Sequence, residues 1–450
     1  MAIRIASLVG RNGRRNEADP AVAGSQRGLR RMLGVFGPGL VTGASDDDPT
    51  GVATYSQAGA EYGLGLLWVS MITLPLMAAV QEICDRTALA TGRSLGELAA
   101  AKYPGRARPL LAVLIGVLIV ANTLNIAADL VAIGSGMNLL HAGPTWVWAL
   151  IAGVLITGMI ILGSFEQIAR IFKFLCLSLL SYFGVLFAVH VDWINVLHHS
   201  FVPHLSLSTG YVALLVGVLG TTISPYLFFW QSAHRLEEMR DEPHGGDRVV
   251  PLKRRGARAA ARKQRESRLD VFGGMLFSNL VMFAIIVACA ATLNGKSIGS
   301  AAEAAAALEP VAGRWASALF ALGFIGTGML AVPVLAGSGA AGMAGLLGKH
   351  WGFSRSVRKA PVFYGLVAVG TIGGTLLSLA DTNPIQLLVV VAVINGIAAA
   401  PFLFLVMHIS SDRALMGEYR NGRPAMILGW GTFALMASAA VVLIAQGVGV

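Results

Sequence analysis

The sequence predicts an all-α membrane protein of two inverted five-helix repeats followed by an eleventh transmembrane helix. Three observations predict it. Apolar stretches long enough to cross a bilayer recur nearly end to end, in a chain that is 55% hydrophobic and only 13% charged, where a soluble domain carries about 25% charged residues. The mean hydropathy is +0.68. Basic residues gather at alternate ends of these stretches. Finally, the first and sixth stretches are each interrupted by a proline among polar residues, and a spacing of five spans is what inverted repeats meeting at a midplane site produce.

Residues 1–34 form a polar, basic tail. Its one apolar patch, Ile5 to Gly10, is too short for a signal-peptide core, so a retained cytosolic tail is expected. One membrane domain, 35–450, is expected to follow. A span needs about 20 mostly apolar residues. On that basis the first five spans are placed at 35–60, 65–89, 110–138, 144–163 and 168–190. The sixth to eleventh fall at 209–235, 270–293, 315–346, 360–380, 386–409 and 426–446. The connections 91–108, 166–173, 236–269, 347–359 and 410–424 are basic, while 191–208 and 380–385 are almost free of Lys and Arg.

Of 34 Lys and Arg residues, all but Lys296 and Arg314 lie on the same side. This is the positive-inside bias of a cell (inner) membrane protein with a cytoplasmic N-terminus and an external C-terminus. The net charge of +10 therefore reports topology rather than a nucleic-acid partner. The basic loop 236–269, densest from Lys253 to Arg268, is expected to lie near anionic lipid headgroups. Cys84, Cys176 and Cys289 are widely separated and form no CxxC pair, so they read as buried apolar thiols.

The first interruption carries the most chemistry. Asp46, Asp47 and Asp48 precede Pro49-Thr50-Gly51 inside an otherwise apolar span. A carboxylate at the bilayer centre costs roughly 2.5–3.5 kcal/mol on insertion scales. Carboxylates beside unwound carbonyls are what a hard cation takes as ligands. The alternative is that Asp46 and Asp47 sit at the interface and cap a helix starting at Pro49. The second interruption, Gly220-Thr221-Thr222-Ile223-Ser224-Pro225-Tyr226, offers hydroxyls that satisfy freed backbone groups or coordinate an ion.

From Gly37 to Pro104 the chain resembles the NRAMP divalent-metal transporters. The likeness continues through Ile126-Ala127-Ala128-Asp129-Leu130, the sixth-span break and Pro401-Phe402. The resemblance implies a LeuT-type fold and alternating-access import of divalent metals. It also shows departures. Where the family has Asp-Pro-Gly-Asn, this chain reads Asp48-Pro49-Thr50-Gly51; where it has Ala-x-x-Met-Pro-His, this chain reads Thr221-Thr222-Ile223-Ser224-Pro225-Tyr226. The acidic ligand is kept, and the Asn, the thioether and the His are replaced.

Oxygen donors suit Mg²⁺ and Mn²⁺ better than softer metals. Mg²⁺ keeps several waters, for which Gly51 and Ser224 are expected to leave room. The chain thus looks like the NRAMP-related magnesium transporter branch. The metal site nominated is Asp48, Thr50, Gly51, Thr221 and Ser224, with Asp46, Asp47, Asp129, Tyr226, Gln231 and Asn395 as surrounding or pathway residues.

Proton coupling is not expected. The family's third-helix Glu, three residues beyond its Asp, is Ala132 here, and the ninth span has none of the family's arginines. The membrane potential alone supplies roughly 2.3 kcal/mol per charge per 100 mV.

Other polar residues have plainer readings. Asn122 and Asn125 could hydrogen-bond Asp129. Glu82 and Arg86 form an i,i+4 pair. Glu61, Asp192, Asp381 and the histidines His198, His199 and His204 read as solvated. A proton-coupled Mn²⁺/Fe²⁺ symporter and an amino-acid or Na⁺ carrier of the same fold are the alternatives, although three aspartates would repel a substrate carboxylate. No H-E-x-x-H, serine elbow or second Asp-rich motif supports an enzyme. Nothing points to a cofactor or an obligate protein partner; divalent cations and the bilayer are the partners expected.

Overall fold

A computed structural model describes residues 38–162, 179–242, 246, 249–380 and 383–447. The basic tail, Cys176, residues 168–178 of the fifth span and Asp381 lie outside the described residues. Among the described residues all regular structure is helical.

The first span is α1 (Pro38–Asp46) and α2 (Pro49–Tyr62), and the second is α3 (Trp68–Thr91). A short α4 (Leu95–Lys102) leads to α5 (Ala107–Leu139) and α6 (Thr145–Ile161), the third and fourth spans. The end of the fifth span is α7 (Ser181–Ala188), and α8 (Trp193–Phe201) lies in the connection that follows. The sixth span is α9 (Thr209–Thr222) and α10 (Pro225–Asp241), and the seventh is α11 (Ala257–Leu293). The last four are α12 (Ala316–Leu346), α13 (Pro361–Leu377), α14 (Pro384–Ser410) and α15 (Arg423–Ala445).

The sixth-span break falls inside the expected segment Gly220–Tyr226, while the first falls earlier than the expected Asp48–Gly51. Pro49 and Pro225 each open a new helix, and the interruption lies at Asp47-Asp48 and Ile223-Ser224. The reason is local. Proline is preorganised for the first helical position, while the residue before it is pushed into extended backbone. Asp48 (φ −67°, ψ 171°) and Ser224 (φ −80°, ψ 136°) both adopt that conformation. Thr50 and Gly51 are therefore helical.

The basic loop also differs from expectation. α10 continues to Asp241 and α11 begins at Ala257, so much of 236–269 is helix. At 37 residues α11 is about 55 Å long at 1.5 Å per residue. That exceeds a hydrocarbon core of about 30 Å, so its basic N-terminal third projects beyond the apolar layer.

Two glycine contacts hold the broken helices. A Cβ on Gly43 of α1 would stand 2.2 Å from the carbonyl oxygen of Gly274 in α11. One on Gly220 of α9 would stand 2.3 Å from the Ala392 carbonyl oxygen of α14. Only glycine permits such backbone approach. Around this centre, α9–α10 is 89% buried over its most apolar stretch, whereas α15 is 28% buried. Val113, Val117 and Val120 of α5 and Val441 and Ile444 of α15 present an apolar belt outward.

Candidate functional site

The half-helices meet at Asp48. As N-cap of α2, its Oδ1 accepts the Gly51 N–H at 2.8 Å. Its Oδ2 accepts from Asn125 Nδ2 of α5 at 3.2 Å and faces the Tyr226 hydroxyl of α10 at 3.4 Å. Asn125 is oriented by its other end, which accepts from Thr50 Oγ1 at 2.9 Å. Tyr226 donates to the Ser45 carbonyl at 3.1 Å, satisfying the end of α1. Ser224 does the same for α9, donating to the carbonyls of Gly220 (2.5 Å) and Thr221 (2.9 Å).

The capping role that the alternative reading gives to Asp46 and Asp47 thus belongs to Asp48. Those two are buried rather than interfacial. Ser278 of α11 donates to Asp46 at 2.5 Å and lies 3.2 Å from Asp47, leaving one oxygen of each without a partner. Asp129 of α5 lies on the other side, near Asp48 and Thr50, and neither of its oxygens accepts a hydrogen bond of normal geometry.

Asn122 and Asn125 do not bind Asp129. Asn122 donates to the Leu335 carbonyl at 2.8 Å and to Ser338 at 3.1 Å, and Asn125 serves Asp48.

Asp46, Asp47, Asp48 and Asp129 are each at most 1% exposed, and none makes an ion pair among the described residues. They form a file, not a cage. Among the described residues no three His, Cys, Asp or Glu side chains converge as a metal would require. Four buried carboxylates without a counter-charge are costly. Such a file needs cations or protons to neutralise it.

The remaining nominated residues divide. Thr221 and Gly51 adjoin: a Cβ on Gly51 would lie 3.1 Å from the Asp46 carbonyl oxygen and 3.3 Å from Thr221 Oγ1. The room for water expected at Gly51 is therefore absent, because α1, α2 and α9 close on one another there. Gln231, nominated as a surrounding or pathway residue, is engaged at both ends in this conformation. It accepts from Thr42 of α1 and donates to Asp85 of α3 at 2.7 Å, linking helices at both ends. Asn395 is buried beside the Gly220–Gly396 crossing with its Oδ1 unpartnered.

Sequence reasoning missed a second polar centre. Asp85, fully buried, accepts from Arg235 Nε at 2.5 Å, Gln231 at 2.7 Å and Ser267. Arg235 also pairs with Asp270 at 2.9 Å and with Glu238. The network joins α3, α10 and α11 at the basic end and reaches α1 through Gln231. An acid inside a span is the signal that could have found it. The neighbouring Glu82–Arg86 pair, present at 3.0 Å, is the plainer pattern because both its partners lie on one helix, whereas those of Asp85 are distant in the chain.

A lipid-facing helical bundle whose two broken helices meet over uncompensated buried carboxylates defines a membrane transporter rather than an enzyme. Residues 39–446 match the family described as natural resistance-associated macrophage protein-like. The chain belongs to this family, Nramp. It is 27% identical over 449 residues to the divalent metal cation transporter MntH 1 of Pseudomonas aeruginosa, covering 94% of each chain. It is 26% identical over 419 residues to the divalent metal cation transporter MntH of Deinococcus radiodurans, covering 90% of this chain and 88% of that one.

Among solved structures, the Eremococcus coleocola manganese transporter bound to an aromatic bis-isothiourea substituted compound superposes with a TM-score of 0.71 at 16% identity. The match covers 93% of this chain and 87% of that one. The fold is thus the LeuT-like arrangement of two inverted repeats.

Proposed function

We propose that the chain moves divalent metal cations across the membrane by alternating access, with Mg²⁺ as principal substrate and Mn²⁺ also accepted, and without proton coupling. On this reading it belongs to the magnesium-transporting branch of its family. The observation that carries it is the buried file of unpaired carboxylates at the α1–α2 break, surrounded by oxygen donors.

The ligands would be Asp48 and oxygens of Thr50, Gly51, Thr221 and Ser224, with Asp46, Asp47, Asp129 and Tyr226 along the path. Asn395, with its free Oδ1, is the candidate from α14. Gln231 drops out because both its ends are engaged.

Hydroxyl and carboxylate oxygens favour a hard ion, and the position that carries a thioether in the family is Ser224. Few protein charges converge at one point, which suits an ion that retains water. Admitting that water requires α1 and α9 to part, since they close at Gly51.

The family's own relay pattern is reduced: Asp129 remains, but the family's Glu position is Ala132 and its His position is Tyr226. We further propose that 1–34 is a cytoplasmic tail to a single membrane domain, and that the C-terminus is external, as the basic connections favour.

A cation panel in liposomes tests the substrate. Wild type should pass Mg²⁺ and Mn²⁺, and Asp48→Ala should lose nearly all flux. Unchanged Mg²⁺ entry in that variant removes the central ligand. A second reading, a proton-coupled carrier of Mn²⁺ or Fe²⁺, is favoured by Met282, whose thioether lies 3.7 Å from the Thr222 hydroxyl and offers a softer donor. Fe²⁺ flux that disappears in Met282→Leu would support it.

A further inference from the structure

Where α3, α11 and α15 diverge at the basic end, a cavity of about 820 Å³ opens. Its charged lining is Arg86, Lys253, Arg255, Arg268 and Arg420 against Glu82 and Glu418, an excess of three positive charges. Two of the five cations are engaged. Arg86 is held by Glu82 (3.0 Å) and Asn421 (2.9 Å), and Arg255 by Glu242 (2.6 Å).

The other three are less fully neutralised. Arg268 is 57% exposed and shares its one carboxylate, Glu82, with Arg86. Among the described residues Lys253 reaches the Leu415 carbonyl and makes no ion pair, and Arg420 makes none either. Leu252, Ala257, Ala260 and Ala261, with Ala425 and Leu428 of α15, add apolar surface to the same lining.

A cavity whose lining combines an excess of cations with apolar side chains fits a molecule with an anionic head and an apolar body. Arginine forks match phosphate oxygens, and lysine adds a point charge. α15 is the most lipid-exposed of the long helices, so the cavity mouth stands where a bilayer's headgroups meet its acyl chains.

We propose that this cavity binds the phosphate of an anionic amphiphile between Arg268, Lys253 and Arg420, with the apolar portion against α11 and Leu428. The site is separate from the carboxylate file and does not depend on which ion is carried. A membrane phospholipid and a soluble organic phosphate share this chemistry.

Thermal unfolding of the delipidated full chain in detergent tests it, titrated with phosphatidylglycerol, phosphatidylcholine or inorganic phosphate. Phosphatidylglycerol should raise the midpoint and phosphatidylcholine should not. The double variant Arg268→Gln/Arg420→Gln should weaken that response roughly tenfold or more, from the charge-assisted bonds lost. Arg358→Gln, exposed and outside the cavity, should respond as wild type.

Protection by inorganic phosphate that competes with the lipid identifies a soluble source; protection by the lipid alone identifies the membrane. Equal responses to both lipids, no response to any probe, or a double variant that binds as wild type overturns the proposal.

Discussion

At the scale of residues, Asp48 is tied to three helices at once, through Gly51, Asn125 and Tyr226. Tyr226→Phe should therefore retain transport while shifting the apparent cation affinity, because the Ser45 carbonyl it caps is freed. Cation titration in liposomes reads this. Gly51→Asn with Ser224→Met restores the family's donor types and should raise Mn²⁺ over Mg²⁺ flux. The asparagine must displace neighbours by a few tenths of an ångström, given the 3.1 Å to the Asp46 carbonyl oxygen, so total flux should fall as selectivity changes.

The buried acid at the break is legible in the sequence because a carboxylate beside a proline in an apolar span is too costly to keep without a function. The partner of Asn125 is not. Helical spacing places Asn125 and Asp129 on one helix without telling which neighbour each faces, and the structure turns the asparagine to Asp48. The capping by Asp48 rather than Asp46 or Asp47 depends on where extended backbone begins, one residue before Pro49, and pattern reading places such boundaries poorly.

At the scale of elements, the half-helices are positioned by glycine contacts more than by side-chain volume. Gly220→Val should push α9 from α14, where 2.3 Å separates the added carbon from the Ala392 carbonyl oxygen. Flux should be abolished even though no ligand has changed, and tryptophan fluorescence or circular dichroism should show the helices intact.

The α10–α11 connection is stapled by charge: Arg255 and Lys263 meet Glu242 at 2.6 and 2.9 Å. Burial pushes the Glu242 carboxyl up, but its hydrogen bonds and the two cations outweigh this and hold it below the usual glutamate range. A depressed acid contributes stability above its ordinary value of about 4.3 and loses it as pH falls through the lower folded value. Amide exchange over 252–260, corrected for intrinsic rate, should show this segment opening between neutral and strongly acidic pH, with the step absent in Glu242→Gln.

At the scale of the whole molecule, every expected span that has described residues coincides with a helix, because length and hydropathy are dictated by the bilayer. What the pattern does not show is helix beyond the membrane, such as the start of α11, where helical propensity and ion pairs replace apolarity. The Asp85–Arg235 centre welds α3, α10 and α11 at one end. Removing one partner of such a buried pair costs about 3–5 kcal/mol. Asp85→Ala should therefore lower thermal stability sharply, and a wild-type melting profile would show the pair to be idle. A pH-sensitive dye inside liposomes should stay silent during Mg²⁺ entry; stoichiometric acidification would restore proton symport.

One carboxylate oxygen of Asp48 holds the first turn of α2 together. On the proposed reading, in which Asp48 is a ligand, an incoming ion competes with that turn for the carboxylate, and a lost cap costs about 0.5–2 kcal/mol. Cargo affinity is taxed by that amount, roughly a factor of two to thirty. In return the vacant carrier keeps a finished helix end over its acid, a self-made plug that discourages leak until an ion strong enough to evict it arrives.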